Sequence, residues 1–169
     1  MTTQTLAESH ALYRQTHDKH PDYFAGYSIT DFIDEIGHLI KHSNIVTAID
    51  YGCGKARAWN SFNLQGQWKL HKVDLYDPGF TPFSKRPDAP ADLVICTDVL
   101  EHVPEHLVDE VLADLVFLSK KVIFVNISTR PASKTLVDGS NAHATVKPRH
   151  WWQAKLDKLD RLVIAHYTS

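Results

Sequence analysis

Cysteine is scarce in this chain: Cys53 and Cys96 are the only two among 169 residues, and both stand in apolar, strand-like stretches. Two such thiols exclude a disulfide-built scaffold and suit small core positions. Charge of one sign is not in excess either, with 18 Lys and Arg against 20 Asp and Glu and a formal charge of −2. That balance gives no strong nucleic-acid signal, and the short basic clusters, such as Lys147, Arg149 and His150, read as solvated surface. No apolar run approaches the ~20 residues that span a bilayer. The segment Met1-Thr2-Thr3-Gln4-Thr5 also lacks the charged-then-apolar order of a secretory leader. The expected setting is therefore the cytoplasm, with no membrane partner. Internal repeats and low-complexity tracts are missing, and the 11 histidines are scattered.

What is present is a 43% hydrophobic content, enough for one globular domain over residues 1–169 with a real core. Residues 1–44 read as an N-terminal helical segment. A first helix is expected over 6–16 and is broken by Pro21. A second, capped by Ser28 or Thr30, carries Ile29, Phe32, Ile33, Ile36 and Ile40 as an amphipathic stripe. A strand over 45–50 then runs into Gly52-Cys53-Gly54, and a helix follows over about 55–63.

Strands are expected again at 69–76, 92–97, 122–125 and 162–165. The second ends in Asp77-Pro78-Gly79, and four prolines within 78–91 argue for a loop there. Pro104 fits the first turn of a helix that buries Leu107, Val108, Val111, Leu112 and Leu115. Residues 127–147 form a long polar loop, and such loops are more often functional than idle. Pro148 then opens a helix over about 148–158. Strands alternating with helices imply an α/β fold with a parallel sheet, whose ligand sits beyond the carboxyl ends of the strands.

The first strand is the informative one. Ala48-Ile49-Asp50-Tyr51-Gly52-Cys53-Gly54 is a buried strand that ends in an acid and enters a glycine turn, which a ligand's atoms can approach closely. Two further blocks follow in order: Tyr76-Asp77-Pro78, and Asp92-Leu93-Val94-Ile95-Cys96-Thr97-Asp98-Val99-Leu100-Glu101-His102-Val103. Together they resemble the D-x-G-x-G motif, the acidic end of the second strand and the fourth-strand block of class I S-adenosylmethionine-dependent methyltransferases. Asn141-Ala142-His143 and Pro148…Trp151-Trp152 are similar to segments of a compact subgroup found in bacteria and phages.

The resemblance implies a three-layer Rossmann-like fold and S-adenosylmethionine as cofactor. Gly52, Cys53 and Gly54 would lie under its methionine and ribose, and Asp50 would orient its amino group. Tyr76 would lie against the cofactor at the end of the second strand, and the acid there would accept from both ribose hydroxyls, as an acceptor-only carboxylate suits. Asp77 is favoured for this and Asp74 is its rival. Thr97 and Asp98 would contact the amino acid portion or the adenine, with Ser84 or the 97–99 backbone, Val99 included, substituting in adenine recognition. Tyr23, Phe24 and Gly26 fall where such enzymes close an N-terminal segment over the cofactor.

The chain also departs from the family. Ala56 replaces a third glycine, the proline-rich segment stands where a strand–helix unit would be, and one strand follows residue 160. The expectation is a trimmed, mainly parallel sheet of about five strands, ordered second-first-third-fourth-fifth.

For the chemistry, His143 in the long loop is the expected general base, because histidine titrates near neutrality. Asn141 and Trp151 are expected to touch a small-molecule acceptor. Arg130 and Lys134 either bind an anionic acceptor or are solvated. No metal is expected: His102-Val103-Pro104-Glu105-His106 spells H-x-x-E-H, but Pro104 denies it the continuous helix that zinc binding needs. The leading function is methyl transfer to a small or medium-sized acceptor. A non-catalytic S-adenosylmethionine-binding module is the alternative. A dinucleotide-dependent oxidoreductase ranks lower, since Arg57 stands where G-x-G-x-x-G needs its last glycine.

Overall fold

The computed structural model describes residues 4–169. Helix α1 spans Leu6–Lys19, α2 Ile33–His42, α3 Arg57–Ser61, α4 Leu64–Gln67, α5 Val108–Leu118 and α6 Arg149–Leu156. The strands are β1 Thr47–Tyr51, β2 Lys72–Tyr76, β3 Ala91–Thr97, β4 Ser119–Ser128 and β5 Leu162–Thr168. All four pairings are parallel and the order is β2-β1-β3-β4-β5. This is the expected five-strand, Rossmann-like α/β sheet, without an antiparallel member.

Helices cover both faces of the sheet. On one face α5 and α6 bring Leu112, Leu115 and Trp152 onto Ile123 and Val125. On the other, α2, α3 and α4 bring Ile36, Ile40, Trp59 and Leu64 onto Ile95 and Phe124. β3 is buried along its whole length, as a strand covered on both faces must be. Burying each such Leu, Ile or Phe is worth about 1.5–3 kcal/mol, so these two layers hold the strand ends in place.

Helix α1 is three residues longer than the expected 6–16. Thr5 and Glu8 form a capping box at its start: the Thr5 hydroxyl accepts from the Glu8 amide and the Glu8 carboxylate accepts from the Thr5 amide at 2.7 Å. Its buried residues are Ser9, Thr16 and His17, so polar contacts rather than an apolar stripe dock it. Neither Ser28 nor Thr30 caps α2. A 3₁₀ turn over Ser28–Phe32 leads into it, Ser28 Oγ lies 3.0 Å from Thr97 Oγ1, and Thr30 Oγ1 donates to the Tyr27 carbonyl.

The helix expected from 55 starts two residues later and is split. Gly54 and Ala56 hold φ of +56° and +50°, which prolongs the turn, and Asn63 at +46° separates α3 from α4. Pro104 and Pro148 stand just before their helical segments rather than inside the first turn. Residues 78–91 are a loop with one 3₁₀ turn, Thr81–Phe83. β4 is longer than expected because Asn126 and Ser128 continue its pairing with β5. Among the described residues no helix is long and apolar enough to cross a membrane, and no group of three or more His, Cys, Asp or Glu is placed to hold a metal ion.

Candidate active site

A cleft of about 690 Å³ opens at the carboxyl ends of β1 and β3, where the strand order reverses. Gly52 and Gly54 form its floor, with left-handed φ of +78° and +56°. A Cβ on Gly52 would overlap the methyls of Val99, and one on Gly54 would overlap the Phe24 carbonyl. Both glycines therefore serve close packing over the turn.

The amides of this turn are fully used within the protein. Gly52 and Cys53 donate to the Tyr76 carbonyl at 2.7 and 3.1 Å, and Gly54 donates to Asp77 Oδ2 at 2.8 Å. Ala56 donates to the Cys53 carbonyl at 2.9 Å. Lys55, Arg57 and Ala58 donate to the carbonyls of Phe24, Ala25 and Gly26 at 2.9, 3.0 and 3.3 Å. The N-terminal arm thus crosses the start of α3 and satisfies the donors that a phosphate would otherwise take.

Asp77 lies beside the floor and lines the cleft. Its Oδ1 accepts from the Gly79 amide at 2.8 Å, so each oxygen is anchored once and keeps acceptor capacity. Burial pushes its carboxyl above the usual range against the downward pull of those amides. Asp74 is elsewhere: it pairs with Lys72 at 2.7 Å and does not line the cleft. Asp98, at a left-handed corner with φ of +55°, accepts from Asn126 Nδ2 at 2.6 Å. Asp98, Thr97 and Val99 all line the cleft, as does Gly26.

Asp50 is buried below the floor, where Oδ2 accepts from the indole of Trp59 at 2.6 Å. Burial pushes its carboxyl up to about 7. It supports the turn from beneath and does not line the cleft.

The opposite wall is the loop after β4. His143 lines the cleft, and its Nδ1 lies 2.6 Å from the Arg130 carbonyl. His102 lines it too, with Nδ1 2.8 Å from the Ala142 carbonyl. A carbonyl has no proton to give, so Nδ1 is the donor in each ring, and the Tyr13 hydroxyl also lies 3.0 Å from Nδ1 of His102. The two rings stand edge to face at 4.8 Å. Burial holds His102 down at about 4, so it stays neutral at physiological pH.

Helix α1 roofs the cleft with His10, Tyr13 and His17. It is tied to both walls: the Tyr13 hydroxyl donates to the Ala142 carbonyl at 2.6 Å, Arg14 to the Pro78 carbonyl at 3.1 Å, and the Val137 amide to Thr16 Oγ1 at 3.3 Å. Beneath His102, Glu101 is fully buried. Its Oε1 accepts from the Ser128 amide at 2.8 Å, Oε2 has no partner among the described residues, and burial pushes the carboxyl up to about 8.

Several expected site residues lie outside the lining. Asn141 folds the loop: Oδ1 accepts from the Ala132 and His143 amides and Nδ2 donates to the Ala132 carbonyl. It holds His143 in position without facing the cleft. Trp151 packs edge to face on Trp152 at 4.9 Å, and the ammonium groups of Lys147 and Lys155 lie over its ring. Tyr23 stacks on His20 at 4.5 Å and gives its carbonyl to Lys55 Nζ. The Tyr76 ring meets Tyr51 in the core, and the Cys53 thiol is buried, which pushes its pKa up. Ser84 closes its own turn by donating to the Thr81 carbonyl.

Sequence reasoning missed Tyr13 and His17, whereas Glu101-His102 is expected from sequence to line the pocket or the helix entrance, and the His102 ring does line the cleft. The capping box at Thr5 was the available signal for α1. Nothing local in the sequence marks which face of that helix meets the cleft. Compared with known proteins, the chain matches no family model, no curated sequence and no solved structure.

Proposed function

We propose that this protein binds S-adenosylmethionine in the cleft and transfers its methyl group to a small or medium-sized acceptor. One observation carries the reading: every amide from Gly52 to Ala58 is bonded within the protein, while the Asp77 carboxylate beside them keeps free acceptor capacity. Such a floor suits a nucleoside that has a ribose diol and no phosphate. The same observation weighs against a dinucleotide, whose pyrophosphate needs free amides at the helix start.

When bound, the cofactor supplies a methyl group already activated on a sulfonium. The protein's share is positioning and proton management. Asp77 takes the ribose hydroxyls, Gly52 and Val99 shape the floor, and Asp98 places a negative charge at the adjoining corner. Helix α1 and the 24–26 arm exclude water. Nε2 of His143 takes a proton that the acceptor loses. Holding acceptor and methyl group in line supplies most of the rate. In this reading the buried free thiols Cys53 and Cys96 suit a reducing, cytoplasmic setting.

Calorimetric titration with S-adenosylhomocysteine tests the proposal. Micromolar binding is expected, and no detectable binding would sink it. Binding without turnover on a broad acceptor panel would favour the non-catalytic module instead.

A further inference from the structure

The acceptor side of the cleft has a chemistry of its own. Arg130 and Lys134, both from the loop after β4, line the cleft, and neither is ion-paired with a carboxylate among the described residues. Lys134 Nζ lies 5.6 Å from the centre of the Phe24 ring. Phe24 stands edge to face on His102 at 5.8 Å, and His102 does so on His143 at 4.8 Å. The Arg130 carbonyl fixes the His143 ring. Two cations without a carboxylate ion pair among the described residues thus line the same cleft as Phe24, His102 and His143, with His102 edge to face on both other rings and Nε2 of both imidazoles unbonded among the described residues.

Each part selects a feature of its occupant. Unpaired cations select an anion, and a guanidinium fork matches a planar carboxylate. A phosphate would call for additional backbone donors, and those of the neighbouring turn are already used. Perpendicular aromatic walls favour a flat ring. Two bare imidazole nitrogens call for a hydroxyl donor. We infer that the methyl acceptor is a small hydroxy-aromatic acid, its carboxylate held by Arg130 and Lys134 and its hydroxyl directed at the His102–His143 pair.

The two imidazoles divide the work. His102 stays neutral because burial resists its protonation, so it accepts a hydrogen bond and orients the hydroxyl. His143 takes the proton. The acceptor's oxygen forms the new O–CH₃ bond as the C–S bond breaks, the electron pair of that bond stays on sulfur, and the O–H proton passes to Nε2 of His143 and on to water. This inference rests on the function proposed above, since it names the acceptor for the same cleft.

The test uses 2-, 3- and 4-hydroxybenzoate and their amides as probes of the full chain saturated with S-adenosylhomocysteine. At least one acid is expected to bind about tenfold more tightly than its amide. In the double variant Arg130→Gln/Lys134→Gln that preference is lost while S-adenosylhomocysteine affinity holds within about twofold. With S-adenosylmethionine, mass spectrometry is expected to find the methoxybenzoate. No binding by any of the acids, or equal binding of acids and amides, overturns the inference. A methyl ester as product overturns it too. Loss of S-adenosylhomocysteine affinity in the double variant also overturns it, because the cations then serve the cofactor. Failure of the unmodified protein to bind S-adenosylhomocysteine at all would instead sink the proposed function.

Discussion

The amide of Lys55 donates to the carbonyl of Phe24 at 2.9 Å, which puts an N-terminal arm across the start of α3. A helix start beyond a glycine turn is ordinarily a phosphate site. Here the protein's own chain occupies it, and the neighbouring bonds from Arg57 to Ala25 and from Ala58 to Gly26 extend the seam. What remains for a ligand is the carboxylate of Asp77 and the apolar surface around Val99. The seam depends on Gly54, whose φ is +56° and whose Cβ, if present, would overlap the Phe24 carbonyl.

Gly54→Ala is therefore expected to cost about 1–3 kcal/mol of stability through backbone strain at a left-handed position. It is also expected to loosen the arm. Urea unfolding measures the first effect. Hydrogen exchange at the Lys55, Arg57 and Ala58 amides measures the second, and unchanged protection there would refute the role given to the seam.

Asp77 and Asp74 stand on the same short stretch, and only Asp77 lines the cleft. In the proposed role Asp77 makes two charge-assisted hydrogen bonds to ribose, whose loss costs about 2–3 kcal/mol. Asp77→Asn is expected to weaken S-adenosylhomocysteine binding about 30- to 100-fold. Asp74→Asn removes only a pair with Lys72 on the protein surface and is expected to leave binding unchanged. Because Asp77 also anchors the Gly54 and Gly79 amides, circular dichroism should accompany the titration. Equal affinities in the two variants would count against the ribose role.

Asn141 makes three hydrogen bonds within its own loop and none to the cleft. Replacing it with alanine leaves the Ala132 and His143 amides without their acceptor. The expected cost is about 1–3 kcal/mol, with faster exchange at both amides. If His143 is the base, turnover should fall in Asn141→Ala more than S-adenosylhomocysteine affinity does. A loss confined to affinity would place Asn141 with the cofactor instead.

The sheet was legible because its strands are continuous apolar runs ending in punctuation: Asp50 before Gly52, Asp77 before Pro78, Thr97 before Asp98. Those features are local, whereas the strand order rests on the resemblance to class I methyltransferases, since no local pattern fixes it. The helix after the turn departs from the expectation because left-handed φ at Ala56 is not written in its side chain, while Asn63, of a type that favours that region, gives only a weak signal of the break. The roof was less legible still. Helix α1 buries Ser9, Thr16 and His17 and has no apolar stripe, so hydrophobic periodicity cannot show which side docks. Trp151 and Trp152 were alike in sequence, and their helix turned Trp152 into the core and Trp151 onto two lysines. Asn141, expected to touch the acceptor, instead makes three bonds to loop backbone and does not line the cleft.

The pH dependence of stability offers a check on the buried carboxyls under the cleft. Glu101 sits near 8 in the folded chain against an ordinary 4.5, because burial disfavours its charge. The native state then holds a proton that the unfolded chain has released, so stability falls as pH rises between those two values. Asp50, at about 7 against 3.8, acts in the same direction. His17 and His102 act oppositely: both sit near 4 against 6.5, so their contribution is lost as pH falls from 6.5 towards 4. Stability should therefore peak on the acid side of neutrality and decline towards pH 8. Glu101→Gln removes the proton that must be held, so its unfolding free energy should decline less from pH 6 to pH 8 than that of the unmodified chain. Urea titrations of both proteins at half-unit steps across that range measure the difference. Parallel curves would mean that Glu101 is already ionised in the folded state and that its Oε2 has found a partner.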